Sequence, residues 1–308
     1  MYNLKQRAIK IALNEKAAEV AVAKGAKQRL VERVLSFDDV KRARGEYVDA
    51  MFKSALSPKN AISTDEAYKK YTLALSLHGL NEEDLEWKPS CPFCKDTGRV
   101  GTKLCACTRP KYLSALKSLC DIESRASFTF DDANFGAIKG DKQRESLKKL
   151  YEFGIAYANK VPLVKAKTLV FCGGVGTGKT CLASAIARET LERGKSVAYL
   201  SAYEFASKML AAHTSPIQER NNRLADYLTA DLLVIDDLGT EPMLKNVTIE
   251  YLLLVIEERT NHALPTIITT NLSPARILDR YGERIYSRLS SKNASRIFAF
   301  DGKDLRIN

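Results

Sequence analysis

The chain has 308 residues, 45% hydrophobic and 28% charged, a globular composition with room for two domains or one domain with an appendage. Its 48 Lys and Arg against 37 Asp and Glu give a formal net charge of +11, which points to a polyanionic partner, nucleic acid first. No apolar run approaches the ~20 residues of a bilayer span, and the charged first segment lacks the apolar core of a secretory signal. The cytoplasm is therefore the expected compartment, and seven cysteines there argue against a disulfide framework.

Residues 1 to about 80 read as helices. Ile9, Ile11, Leu13 and the alanine-rich stretch 17–23 suit a first helix with Gly25 as its stop, and Leu30, Val31, Val34 and Leu35 a second. Val40, Tyr47, Val48, Met51, Phe52 and Leu56 recur at helical spacing as far as Pro58. Ser63 to Glu66 reads as a capping box opening a fourth helix, which Gly79 closes. Nothing here is catalytic. A small basic helical module of this kind is expected to dock a partner.

Cys91 and Cys94, in a Cys-x-x-Cys pair with Gly98 nearby, offer two thiolates to one ion. Cys105 and Cys107 complete a tetrahedral four-cysteine site, for which structural zinc is the expected occupant. A redox dithiol is the competing reading, weakened by the four cysteines and the lack of a βαβ context. Cys120, Cys172 and Cys181 read as buried or incidental thiols. A connecting helix is expected over 111–125, a turn at Phe128–Phe135, and an amphipathic helix over 142–159.

The run TLVFCGGVGTGKT at 168–180 carries an apolar strand into a glycine turn and a helix over 180–193. Its spacing is that of a phosphate-binding P-loop. Glycines let backbone N–H groups close around a polyphosphate, and the helix N-terminus adds partial positive charge. Lys179 reaches the β- and γ-phosphates, and Thr180 ligates magnesium. Nucleotide contacts thus fall on Gly173, Gly174, Val175, Gly176, Thr177, Gly178, Lys179, Thr180 and Cys181. The bland alternative, a turn that binds nothing, does not explain why strand, loop, lysine, threonine and helix occur in order.

Strands then alternate with helices, the signature of a parallel sheet covered on both faces. Strands are expected at 196–201, 231–237, 265–271 and 296–300; helices at 203–213, 217–229, 247–262, after Ser273 and Pro274, and at 283–290. Asp236 ends a strand read as the neighbour of the P-loop strand, where magnesium must be held. Asp237 is then the general base that polarises the attacking water, and an Asp in place of a longer Glu predicts slow hydrolysis. Asn271, ending the next strand, is read as a partner of the γ-phosphate or the attacking water, with a simple Asx turn as the alternative.

Arg276, Arg280, Arg284 and Arg288 recur every four residues, followed by Lys292 and Arg296. A solvated basic face explains such a row. So does an arginine finger donated to a neighbouring subunit, with Arg288 the first choice and Arg284 the second. Others in the row, with Lys208, Arg220 and Arg223, could track a phosphodiester backbone.

With the P-loop, the run LLVIDDLG at 232–239, PTIITTNL at 265–272, GERIYSRL at 282–289 and GKDLR at 302–306, the chain resembles the bacterial helicase loaders of the DnaC and DnaI family. The resemblance implies an α/β AAA+ P-loop ATPase with a five-stranded parallel sheet, preceded by a small α-helical domain and a zinc module. It implies ATP, Mg²⁺ and structural Zn²⁺ as cofactors. It also implies a homo-oligomer acting on the hexameric replicative helicase and on single-stranded DNA. Lys179 and Thr180 take the Walker A places, Asp236 and Asp237 Walker B, Asn271 the first sensor, and Arg288 the arginine-finger box. The expected division is a helicase-binding domain over 1–84, a zinc module with linker helix over 85–126, and the ATPase domain over 127–308. Because the sequence stops about eight residues after Phe300, no helical lid with a second sensor arginine is expected, and a neighbour or earlier elements must cover the nucleotide. Two competing functions share much of this pattern: a transposition helper ATPase of the IstB kind, and a helicase-binding adaptor whose nucleotide site is only structural.

Overall fold

The computed structural model describes residues 3–56 and 64–306, so Pro58 and the Ser63 end of the expected capping box lie outside the described residues. The chain divides into two compact units. One runs from Ala12 to Arg109; the other joins the residues from Pro110 onward to those before Ala12. These boundaries differ from those expected at 84 and 126. Leu4 and Ala8, far ahead of the sheet in sequence, belong to the same buried cluster as Ala115, Leu116 and Cys120.

The first unit is built on helix α1 (Leu4–Leu35) from Ala12 onward, α2 (Asp38–Leu56) and α3 (Thr64–Leu77). Gly25 does not stop the first helix: it keeps a right-handed backbone, so its cost is only the ~1 kcal/mol of an interior glycine. Val34 and Val40 pack with Tyr71, Ala74 and Leu75 in a small core. A two-stranded antiparallel ribbon follows, β1 (Arg99–Val100) with β2 (Lys103–Leu104), turned at Gly101.

In the second unit the expected connecting helix is broken into α4 (Arg109–Cys120) and α5 (Ile122–Arg125), because Asp121 between them adopts a left-handed backbone with φ 47°. Helix α6 (Asp141–Ala158) leads into the sheet. In order come β3 (Thr168–Gly173), α7 (Lys179–Glu192), β4 (Val197–Ser201), α8 (Ala202–His213) and α9 (Ile217–Thr229). Then come β5 (Leu232–Leu238), α10 (Thr248–Asn261), β6 (Thr266–Thr270), α11 (Pro274–Leu289) and β7 (Ser295–Phe300). The five strands β3–β7 pair in the order β4-β5-β6-β3-β7, all parallel. Thr168 to Cys172 are all buried, and since successive side chains of a strand alternate faces, both faces of β3 must be covered. Ser273 caps α11, its hydroxyl accepting the Arg276 N–H, with Pro274 in the first turn; Gly282, at φ 81°, kinks the helix where an interruption was expected.

One expectation about the sheet needs correction. The acidic strand β5 does not adjoin the P-loop strand β3, because β6 lies between them. Asn271, just beyond β6, therefore stands between the P-loop and the acidic pair.

Candidate functional site

In a sheet with all strands parallel, the carboxyl ends of the strands share one edge, where such folds bind ligands. At this edge β3 runs into the glycine turn, with Gly176 at φ 72° and Gly178 at φ 97°, conformations that side chains with a Cβ avoid. Gly178 is the N-cap of α7 and supplies no capping side chain. The first amides of that helix are thus left to an anion. Lys179 is 6% exposed, and its ammonium donates to the carbonyls of Gly173 (2.8 Å) and Gly174 (2.5 Å) and to Asn271 Oδ1 (2.8 Å).

A bulge between Ile235 and Leu238 takes the two carboxylates out of the β5–β6 ladder, while Asp236 stays paired with Ser201 of β4. Asp237 sits there with a left-handed backbone at φ 60°, held by the Thr269 hydroxyl, which accepts its N–H at 2.8 Å. Asp236 Oδ1 accepts the hydroxyls of Thr180 (3.0 Å) and Thr269 (2.5 Å). Asn271 Nδ2 donates to Asp237 Oδ1 at 2.8 Å. The orientation of that amide follows from its partners, since an ammonium only donates and a carboxylate only accepts. Lys179, Asn271 and Asp237 thus form one continuous hydrogen-bonded chain. Burial lowers the Lys179 pKa while Asp237 and Asp236 oppose the shift, and Arg306 lowers it further. Burial also raises the Asp237 carboxyl, helped by Asp236 and Glu241 and opposed by Lys179.

These groups line a cavity of about 550 Å³, together with Thr177, Thr180 and Cys181. Apolar side chains line it too, Phe128, Phe135, Ile138, Leu147 and Tyr151, with the Phe135 ring edge-on to Tyr151 at 5.1 Å. A lining that combines polar and cationic groups with aromatic and aliphatic ones suits a nucleotide's phosphates and base. Sequence reasoning saw Phe128–Phe135 only as a turn. The missed signal was a cluster of aromatic residues ahead of α6, the helix that precedes the P-loop strand.

Two further groups escaped sequence reasoning. Leu305 and Arg306, beyond the last strand, line the same cavity, although cover was expected only from a neighbour or from earlier elements. Glu241 is 2% exposed, and its carboxylate accepts the Gly239 N–H at 2.7 Å and the Tyr281 hydroxyl. Arg280 donates to the Glu241 carbonyl at 2.8 Å, so α11 fastens the turn that follows Asp237. Arg280 thus serves this fastening and not an open basic face. Arg284 and Arg288 are not brought into the cavity of their own chain, and Arg288 instead pairs with Glu257 of α10 at 3.2 Å.

The four cysteines do converge. Their sulfurs lie within 4.8 Å of one another, with Cys91 to Cys105 at 3.7 Å and Cys94 to Cys107 at 3.6 Å. A disulfide needs ~2.05 Å. A tetrahedral ion with metal–sulfur bonds of ~2.3 Å spaces its sulfurs about 3.8 Å apart, so these residues fit such an ion. The Cys94 backbone N–H leads the interactions that pull the Cys91 thiol down to about 6, toward the thiolate a metal requires. Asp96 accepts the Ser90 and Cys91 amides at 2.9 and 3.0 Å and meets the Lys16 ammonium at 3.2 Å, which fixes the turn.

The strand order, with the acidic and asparagine strand ends facing a glycine turn, makes this unit a P-loop NTPase fold of the AAA+ type. Residues 126–285 match the family model described as IstB-like ATP binding protein, more than half of the chain, and the chain belongs to that family. Among curated relatives, the replicative helicase loader DnaC of Escherichia coli (strain K12) is 33% identical over 129 residues, 41% of this chain and 51% of that protein. The replicative helicase loader DnaI of Bacillus subtilis (strain 168) is 32% identical over 111 residues, 36% of this chain and 35% of that one. The chain thus spans about half the length of the first of these, and less of the second. A crystal structure of the DnaC helicase loader is similar with a TM-score of 0.47 and 24% identity, covering 57% of this chain and 97% of that one. Among the described residues no helix is long and apolar enough to cross a membrane.

Proposed function

We propose that the protein is an ATP-dependent loader of the hexameric replicative helicase onto single-stranded DNA, working as a homo-oligomer in the cytoplasm. The observation that carries the ATPase half is the hydrogen-bonded chain from Lys179 through Asn271 to Asp237, with Thr180 on Asp236 beside it. The sequence likeness to replicative helicase loaders supports the loading half.

In this reading the glycine turn and the free amides of α7 cradle the triphosphate. Lys179 neutralises its terminal phosphates. Thr180 and Asp236 would hold magnesium, which when bound would supply positive charge against the γ-phosphate. Asp237 takes the proton of the attacking water, and Asn271 orients that water or the γ-phosphate. Arg288 or Arg284 completes a neighbouring chain's site, so hydrolysis by a dilute monomer is slow. Cys91, Cys94, Cys105 and Cys107 hold a structural zinc ion, and the helical unit docks the helicase.

The test is helicase loading onto circular single-stranded DNA with ATP. Lys179→Ala is expected to abolish loading and to weaken ATP binding at least about a hundredfold. Asp237→Asn is expected to keep binding and lower turnover about a hundredfold or more, the scale seen when a positioned catalytic group is lost. Loading that survives Lys179→Ala would make this an adaptor with a structural nucleotide site. The family model favours a second reading, an IstB-like transposition helper on duplex DNA. Tight ATP-dependent coating of duplex DNA with no helicase binding would select it.

A further inference from the structure

The chain does not leave the sheet after β7. It returns over the glycine turn. Leu305 donates its backbone N–H to the Gly176 carbonyl at 2.9 Å, and its side chain packs on the central core. Asp304 lies so close that a Cβ added at Gly176 would stand 1.7 Å from its Oδ1. The same oxygen accepts the Arg306 N–H at 2.9 Å, which closes a short turn. Upstream, Gln143 of α6 grips Lys303 twice: its amide donates to the Lys303 carbonyl at 3.0 Å and accepts the Lys303 N–H at 3.1 Å. Gly302, at φ 141°, has the Gln143 amide in the place of a Cβ. Segment 302–306 is therefore fixed at both ends. The fixing puts Arg306 on the rim of the cavity that holds Lys179, Thr180, Asp236 and Asn271.

A cation brought next to another cation costs energy unless an anion sits between them. Arg306 acts electrostatically on Lys179 and on Cys181, the residues that flank Thr180. A triphosphate is the anion this cavity is built to take.

We propose that segment 302–306 is a strap of the nucleotide site: Arg306 supplies the bound triphosphate with a second cation from the same chain as Lys179, while Asp304 and Leu305 hold the glycine turn that receives it. The strap also gives a reason for glycine at 176 beyond its backbone angle, since any side chain there would displace Asp304. The proposal rests on the reading of the cavity as a triphosphate site, and the experiment separates the two.

Binding of magnesium ATP is measured by titration calorimetry on the full chain and on four variants: Lys179→Ala, Arg306→Ala, Arg306→Lys and Gln143→Ala. Thermal unfolding without nucleotide is followed alongside. Arg306→Ala is expected to weaken ATP binding about tenfold, the scale of one charge-assisted hydrogen bond, with an unchanged unfolding midpoint. Arg306→Lys should recover most of that loss. Gln143→Ala, which leaves every phosphate-facing group in place, should weaken binding about threefold by freeing the strap. ATP affinity in Arg306→Ala equal to the parent would overturn the strap while leaving the nucleotide site standing. Equal losses in Arg306→Ala and Arg306→Lys would trace the effect to packing and also overturn it. A parent chain that binds no ATP would remove both readings together.

Discussion

The sheet of β3–β7 rests on one continuous buried cluster that reaches from Leu4 to Phe300. The cysteine turn has a buried cluster made only of Cys91, Cys94 and Cys105, with Cys107 beside it. The first arrangement draws its stability from apolar surface removed from water and needs no ligand to fold. The second buries too little for that, and in the proposed reading the free energy of metal binding would supply its folding free energy. The nucleotide site, by contrast, is assembled before its ligand arrives: Lys179, Asn271, Asp237, Thr180 and Asp236 already bond one another. In the proposed reading one region depends on an ion for its fold, and the other on a ligand only for its action.

Removing metal should break the comparison most visibly. A chelator strong enough to strip zinc, or Cys94→Ser, is expected to abolish amide protection in 91–108 while leaving that of the sheet strands and the affinity for ATP within about twofold. Hydrogen exchange with mass spectrometry reads both. Protection in the cysteine turn that persists without metal would show that it holds itself together.

A smaller effect sharpens the other half. Glu241→Gln keeps the acceptor for the Gly239 N–H but removes a charge that raises the Asp237 pKa. Asp237 must be ionised to act as base, so turnover falls as pH drops through its pKa. Because that pKa is raised above its ordinary value, the acid limb of the pH–rate profile is expected above the ordinary carboxylate range. The variant should move that limb to lower pH and leave turnover at neutral pH within a few-fold, with KM little changed. An unmoved limb would remove Glu241 from the account of Asp237.

The smallest effect concerns α1. Gly25 has a right-handed helical backbone and only the Arg29 side chain near its Cβ position, at 3.5 Å. Gly25→Ala should stabilise the helical unit by about 0.5–1 kcal/mol in denaturant titrations. A loss of stability would mean that the helix bends or breaks there in solution.

What could be read from the sequence was whatever depends on short spacing. The glycine turn, the acidic pair, the Ser273–Pro274 cap and the cysteine pairs are local patterns, and each has its physical cause within a few residues. Strand order is not local, so Asp236 was assigned to a strand beside the P-loop, and the insertion of β6 went unseen. The same blindness hid Glu241, whose partners Arg280 and Tyr281 lie about forty residues away, and Arg306, whose relevance depends on a backbone bond from Leu305 to Gly176. Gly25 and Asp121 misled in opposite directions. A glycine that could end a helix continued one, and an aspartate that fits a helix broke one by turning left-handed.

The most direct measurement of the central claim is a structure of the chain at near-atomic resolution with magnesium and a non-hydrolysable ATP analogue. The expected density places the triphosphate in the turn from Gly173 to Thr180, with Lys179 and Asn271 on the terminal phosphate and the metal between Thr180 and Asp236. A cavity still empty at saturating analogue, or nucleotide bound elsewhere with Lys179 still on the Gly173 and Gly174 carbonyls, would contradict it.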